Sequence, residues 1–508
     1  MKKTAGLDLG TTGCKITVFD EEGHELKRSY RTYPVSRKTE GHEIDASALL
    51  DGVMAVISDA AAEHGDIAGI GVTSFGETFV MTDKNGVPLA PAMLYTDPRG
   101  AEECRELAGR LGEEKIAGIT GVVPHEMYAV PKMMWRKKQD PELFAKAEHL
   151  FLVQDFVIFA LTGHAVIDYS LATRTMAFDI GKLDWSREVL QAAGIDMCLL
   201  SRPVPTGTDA GTVTKTAAEK TGLSPQTHII AVSHDQVAAA VGAGAFDESV
   251  GVDGAGTVQC LTPVFRGMPD VRKMQEGKYA IVPYVVPGTF VTYAFIHTGG
   301  ALLQWCTETL AKEEASCAHR EGISVNAYLE QQYIREKENS GQDPDEPSGL
   351  LLLPHFAGAA TPYMDTGSKG ALLGLTTETT AAAVYRACME GVTYEMYLNY
   401  RGVAAAGAVP KKLNATGGGA RSAVWMQMKA DVLGLPVTAL RTADAGTVGS
   451  AMLTGIALGI YRDLQDAAEH LIEEEKTYYP RESYHRKYEE VYARYKKVYQ
   501  AVRDLIQV

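Results

Sequence analysis

The chain has 508 residues, more than a single hydrophobic core usually holds, so two domains with a cleft between them are expected. Its composition, 45% hydrophobic and 22% charged, is that of a soluble globular protein and excludes a disordered or fibrous one. With 49 Lys plus Arg against 64 Asp plus Glu the net charge is −15, which excludes a general nucleic-acid or anionic-membrane surface, so any bound phosphate must be held locally.

Seven cysteines, at 14, 104, 198, 260, 306, 317 and 388, are odd in number and free of C-x-x-C spacing, so neither a zinc site nor a disulfide framework is expected. Met1-Lys2-Lys3 is basic, but Asp8 interrupts the next stretch of chain and leaves no signal-peptide core; a cytoplasmic protein is expected.

The chain opens on Gly6-Leu7-Asp8-Leu9-Gly10-Thr11-Thr12-Gly13-Cys14-Lys15. Apolar and β-branched residues on both sides predict two short strands around a Gly/Thr turn with Asp8 at its mouth. Glycines admit an anion close to backbone N–H groups, the Thr hydroxyls add donors, and a carboxylate beside a phosphate can hold Mg²⁺. The loop lacks both the Gly-Lys-Ser/Thr ending of a P-loop and the Gly-x-Gly-x-x-Gly spacing of a dinucleotide turn.

An amphipathic helix over 47–63 and a buried strand over 67–73 come next, which is α/β grammar. From 98 to about 185 the chain reads as largely helical, with helical spacing over 99–111, 130–138 and 154–161. A strand over 228–232 leads into Ser233-His234-Asp235-Gln236 and a small-residue helix over 237–243, for which Asp235 is also a capping candidate. The opening pattern then returns: strand 249–252, turn Asp253-Gly254-Ala255-Gly256-Thr257, strand 258–261. Two such hairpins predict duplicated α/β domains facing one nucleotide, with the boundary near 244–250 and domains of 1–246 and 247–508.

The apolar run 279–296 is interrupted by Pro283, Pro287 and Gly288 and reads as a buried hairpin, not a membrane span. Residues 335–349 are polar and breaker-rich, an exposed loop. Asn414-Ala415-Thr416-Gly417-Gly418-Gly419-Ala420-Arg421-Ser422 joins a strand to an amphipathic helix over 424–433, with glycines that can admit a flat base. A helix over 484–505 is expected to dock on its own domain.

Together these motifs resemble the FGGY carbohydrate kinase family nearly end to end. Asp8-Leu9-Gly10-Thr11-Thr12, Tyr95-Thr96-Asp97-Pro98-Arg99, Asp155 and Asp168-Tyr169-Ser170 carry the resemblance in the first half. His234-Asp235-Gln236, Gly254-Ala255-Gly256-Thr257, Gly299-Gly300 with Gln304-Trp305, Thr361-Pro362, the 370–374 block and the 417–422 segment continue it in order.

The resemblance implies an actin-like fold of two ribonuclease-H-like domains, ATP between them, and transfer of its γ-phosphoryl to a hydroxyl of a ketose or polyol. It implies Asp235 as general base, Asp8 as the Mg²⁺-side carboxylate facing Asp235 across a cleft, and Glu77, Thr78, Asp235 and Gln236 around the acceptor. Thr11, Thr12, Lys15, Gly256 and Thr257 would meet the phosphates, and Gly299, Gln304, Gly418, Gly419 and Ser422 the ribose and adenine. His234 reads as a satisfied scaffold residue and not as a second base. Nucleic acid and membrane are not expected partners, and a homodimer stays open.

The acceptor segment Ser74-Phe75-Gly76-Glu77-Thr78-Phe79 departs from known members. Xylulokinases typically have Gln-Met-His there. Glycerol kinases have Arg-Glu, of which only Glu77 is present, with Gly76 in place of the Arg; their Tyr is displaced too, since Met127 stands at its spacing and Tyr128 one residue later. A xylulokinase proper, an actin-like ATP-binding protein and a sugar sensor that does not phosphorylate remain alternatives.

Overall fold

The computed structural model describes residues 2–39, 41–442 and 444–506. Its frame is two six-stranded sheets. The first contains β1 (Lys3–Leu9), β2 (Gly13–Asp20), β3 (Glu25–Thr32), β4 (Ile67–Ser74), β5 (Thr208–Thr212) and β6 (His228–His234), in the order β5-β6-β4-β1-β2-β3. The second contains β7 (Val250–Ala255), β8 (Gln259–Thr262), β9 (Ala294–Ile296), β10 (Lys412–Thr416), β11 (Val437–Leu440) and β12 (Glu474–Tyr478), in the order β12-β11-β10-β7-β8-β9.

Both sheets repeat one pairing scheme. β1 is antiparallel to β2 and β2 to β3, as β7 is to β8 and β8 to β9. β1 is parallel to β4 and β4 to β6, as β7 is to β10 and β10 to β11, and an antiparallel strand closes each set. The duplication expected from two hairpins is therefore present in the whole sheet topology, and it is the actin-like arrangement.

Helix α1 (Ala46–His64) covers the first sheet. Asp45 caps it by accepting from the Ser47 and Ala48 amides at 2.8 and 3.3 Å, and Leu49, Val53, Val56 and Ile57 are buried on one face. Each such side chain contributes about 1.5–3 kcal/mol on burial. Helix α2 (Asp235–Gly242), directly after β6, crosses helix α6 (Ala445–Ala457) so closely that a Cβ on Gly242 would fall 1.9 Å from the Ala445 carbonyl oxygen, and one on Gly449 equally close to that of Ala238. The small-residue character of both helices permits this crossing. Through it α6, from late in the chain, packs on the first sheet: Ser450 Oγ donates to the Gly71 carbonyl at 2.9 Å.

Three expectations change. β7 runs on to Ala255, so Asp253 lies inside a strand, fully buried, and the turn is Gly256 to Val258. The helical spacing continues into the polar segment, and α4 (Val325–Asn339) takes the first five residues expected to be loop. The C-terminal helix is two, Glu482–Tyr495 and Val498–Ile506, divided at Lys496 and Lys497; Tyr488, Val491 and Tyr495 are buried in the domain as expected. The 279–296 run forms a small sheet in which Val282–Pro283 pairs with Phe290–Val291. No described helix is long and apolar enough to cross a membrane.

Candidate active site

Strand register gathers the site. Leu9 pairs with Ser74, and Ser74 with His234, so three parallel strands end together and deliver the Gly10–Thr12 turn, the Phe75–Thr78 segment and Asp235 to one edge. Asp8 and Asp235 thus stand on the same sheet edge, not on opposite sides of a cleft. In the second sheet Gly254 pairs with Thr416 and Ala415 with Ala439, which brings the Gly256–Thr257 turn, the 417–422 segment and Asp444 to the matching edge.

The first turn is closed by the Gly10 amide donating to Gly13 O at 2.9 Å, and the Tyr33 hydroxyl donates to the Gly10 carbonyl. Thr11 is half-buried and Thr12 exposed; Gly256 and Thr257 are exposed at the second turn. Lys15, across the hairpin from Asp8, places its ammonium 3.0 Å from Asp8 Oδ2 and 2.9 Å from Asp444 Oδ1, so it bridges the two halves. Burial pushes the Asp8 carboxyl up, Lys15 pulls it back and Asp444 pushes it up again, leaving it above the usual range. Burial opposes the charge on Lys15, but the two carboxylates override it and hold the ammonium above its ordinary value.

Asp235 is the first residue of α2. The cap position belongs to His234, so the capping role is not its own: among the described residues Asp235 Oδ1 accepts only the Gln236 amide, at 2.6 Å. Its side chain is 30% exposed, and burial first, then the charge on Asp8, push its carboxyl up to about 7. Glu77 pushes in the same direction, while the Gln236 N–H and Arg174 pull down. A carboxyl poised there, with no Lys or Arg paired to it among the described residues, suits proton acceptance near neutral pH. His234 Nδ1 lies 3.3 Å from Asp235 Oδ1 without forming a hydrogen bond, so this histidine is not satisfied as expected. Burial and the Arg174 charge hold its pKa well below the usual value, so it is neutral.

Glu77 adopts φ +64°, a left-handed backbone that costs a non-glycine residue about 1–3 kcal/mol and marks functional sites. It is buried and ion-paired with buried Arg174. The Tyr128 ring, one residue late in sequence, lies under that guanidinium at 5.0 Å. Thr78 is buried with its hydroxyl unpartnered, and Gln236 is half-buried. Tyr293, from the second half of the chain, packs its ring 5.1 Å from that of His234.

A cavity of about 630 Å³ opens beside the second turn. Gly256, Thr257, Gln304, Gly418, Gly419 and Ser422 line it, and Gly299 immediately precedes lining residue Gly300, the first of helix α3 (Gly300–Thr309). A Cβ on Gly418 would meet nothing within 4 Å, so this glycine faces open space, whereas one on Gly419 would strike Ala255 Cβ and Trp425 Cζ3 at 2.9 Å. Ser422 caps α5 (Ala423–Leu433) through the Trp425 amide and donates to Glu330 Oε1 at 2.8 Å. Glu330, Asn326 and Trp425 line the cavity and were not anticipated; α4 brings the first two from a segment whose polar surface pattern carries no motif. A glycine-walled slot next to a Gly/Thr turn accommodates a flat ring with its phosphates at the turn.

Beneath that turn, Asp253 is paired with Lys429 of α5 at 2.6 Å, both fully buried, and Lys429 lies 4.4 Å from the centroid of the Trp425 ring. Asp97 and Arg99 fasten the Tyr95–Arg99 turn, the Asp97 carboxylate accepting from the Arg99 and His42 amides at 2.9 Å.

Residues 4–242 match the N-terminal domain of the FGGY family of carbohydrate kinases, and residues 271–458 match its C-terminal domain. The chain belongs to the FGGY family of carbohydrate kinases. It is an ATP-dependent phosphotransferase acting on an alcohol group of a sugar or polyol. This kinase is 26% identical to the xylulose kinase of Lactococcus lactis over 515 residues, covering 99% of this chain and 98% of that one. It is 29% identical to the glycerol kinase of Citrifermentans bemidjiense over 476 residues, 91% of each chain. The crystal structure of a ligand-bound xylulose kinase from Lactobacillus acidophilus shares its fold with a TM-score of 0.87 at 22% identity, covering 99% and 98% of the two chains.

Proposed function

We propose that this kinase phosphorylates a small ketose or polyol with Asp235 as general base, ATP being held by the two hairpins and the glycine-walled cavity. The observation that carries the reading is Asp235 itself: partly exposed, unpaired with any Lys or Arg among the described residues, held near 7, and standing on the edge from which the first hairpin also emerges. The carboxylate would accept the hydroxyl proton as the phosphoryl group moves.

Thr11, Thr12, Gly256 and Thr257 would surround the phosphates, with exposed donors at both turns. Gly299, Gln304, Gly418, Gly419 and Ser422 would hold ribose and adenine. Glu77, Thr78, Asp235 and Gln236 would face the acceptor, in a wall closed by Tyr293. Lys15, between Asp8 and Asp444, would complete the phosphate end.

Asp8 would hold Mg²⁺. The fit is supported by the donor set, since Asp8 and Asp444 present hard carboxylate oxygens that share a single ammonium. When bound, the ion would neutralise charge on the transferring phosphates. The seven cysteines are unpaired, which suits work in the reducing cytoplasm. Assembly as a homodimer and lack of affinity for nucleic acid belong to the same reading.

Phosphorus NMR of the reaction mixture tests this. A phosphate monoester should appear when ATP, Mg²⁺ and a ketose or polyol are all present. Inorganic phosphate formed in its place would overturn transfer to an acceptor.

A further inference from the structure

We propose that Arg174 is a positioning residue that sets Glu77 to receive an uncharged polyhydroxy acceptor, and that this pair makes the kinase reject sugar acids. The proposal rests on the acceptor site described above.

Arg174 directly follows the short helix Tyr169–Thr173 and meets Glu77 across 97 residues of sequence. Its Nε donates to Glu77 Oε1 at 2.5 Å, and its Nη2 contacts the same oxygen. Among the described residues Oε2 makes no hydrogen bond. The rings of Tyr128 and Tyr293, 5.0 and 5.7 Å from the guanidinium carbon, flank the cation and restrict its swing.

Gly76 makes room for this arrangement. A Cβ there would come within 2.9 Å of Arg174 Cγ and 3.1 Å of His234 Cδ2, so any side chain would displace the arginine. The absence of an arginine at 76 is therefore matched by an arginine reaching Glu77 from elsewhere. Arg174 Nη1, Thr78 Oγ1, His234 Nδ1 and the Tyr293 hydroxyl are all buried without partners, an unusual concentration around one carboxylate.

The charge count selects the ligand. One guanidinium is already committed to Oε1, leaving Oε2 to accept from a hydroxyl and Asp235 to accept a second. A carboxylate on the acceptor would face these two carboxylates across a guanidinium already paired with Glu77, whereas a neutral polyol satisfies both.

Isothermal titration of the full-length protein with glycerol, D-xylulose, erythritol and D-gluconate tests this. At least one neutral probe should bind about tenfold or more tightly than gluconate. Arg174→Gln should weaken that binding by about tenfold while ATP affinity stays within about twofold, and Arg174→Lys should restore part of the loss.

Because Arg174→Gln leaves Glu77 buried without its partner, the double variant Arg174→Gln/Glu77→Gln is needed as well. It should recover the melting temperature but not the acceptor affinity. Gluconate binding as tight as the best neutral probe, no binding of any neutral probe, or full acceptor affinity in a folded Arg174→Gln protein would each overturn the proposal. ADP release is read separately: the predicted binding pattern without ADP release would sink phosphoryl transfer and leave the positioning role standing.

Discussion

Lys15 and Asp444 join the two halves of the molecule, with Nζ 2.9 Å from Oδ1 while the same ammonium reaches Asp8 at 3.0 Å. One residue from the first hairpin thereby links Asp8, the proposed Mg²⁺ carboxylate, to the start of α6. Lys15→Met should leave two carboxylates facing each other and raise the KM for ATP by about tenfold. Because Asp8 and Asp444 are only 14% and 12% exposed, removing the lysine between them should also lower the melting temperature. A loss of stability with unchanged ATP affinity would show that Lys15 is a structural strut only.

As the proposed general base, Asp235 should set the acid limb of the rate profile. Its carboxyl must be ionised to accept a proton and is pushed to about 7, so kcat/KM should fall about tenfold per unit below that pH. Glu77 raises the Asp235 pKa, so Glu77→Gln should move the acid limb to lower pH, alongside weaker acceptor binding. The stability sign is the reverse of the usual carboxylate case. The folded group keeps its proton up to about 7 while the unfolded one releases it near the ordinary value of 3.8, so stability is lost as pH rises through that window. Asp235→Asn should therefore melt higher than wild type at about pH 8 and equally near about pH 3, the two limits of that linkage. Thermal melts at both pH values check this.

Gly418 and Gly419 separate space from packing. Gly418→Val should fold normally yet raise the KM for ATP by more than about tenfold, because the added methyls enter the open slot. Gly419→Val should also lower the melting temperature, since the side chain would strike Ala255 and Trp425. Equal ATP affinity in wild type and Gly418→Val would place the base elsewhere.

Lys429 tests how the second hairpin is supported. Asp253 and Lys429 are both fully buried, so Lys429→Met should destabilise the protein by about 3–5 kcal/mol, the cost of an uncompensated buried charge. Replacing both, as Asp253→Asn/Lys429→Met, should recover much of that loss in urea unfolding while ATP binding stays weakened.

Much of this site was legible in the sequence because its parts are local. The two Gly/Thr hairpins, Asp235 at a strand-to-helix joint and the 417–422 segment each declare themselves within about ten residues by turn chemistry and alternation. Their partners do not. Arg174 meets Glu77 from 97 positions away, and Lys429 meets Asp253 from 176. Neither pairing leaves a periodic trace, since either residue alone reads as an ordinary surface charge. Asp253 shows the cost of reading it locally: its likeness to Asp8 suggested a turn residue, but Leu261 stands across the hairpin where Asp8 has Lys15, a lysine from beneath the sheet pairs with it instead, and the carboxylate is buried.

ADP release coupled to an indicator reaction, followed for wild type and Asp235→Asn with and without ketoses and polyols, bears on the base and the acceptor together. ADP should appear only when an acceptor is present, and the Asn variant should lose about 10²- to 10⁴-fold in kcat with little change in the KM for ATP. ATP turnover that ignores the acceptor, or an Asp235→Asn protein that turns over like wild type, would contradict general-base transfer to a sugar or polyol.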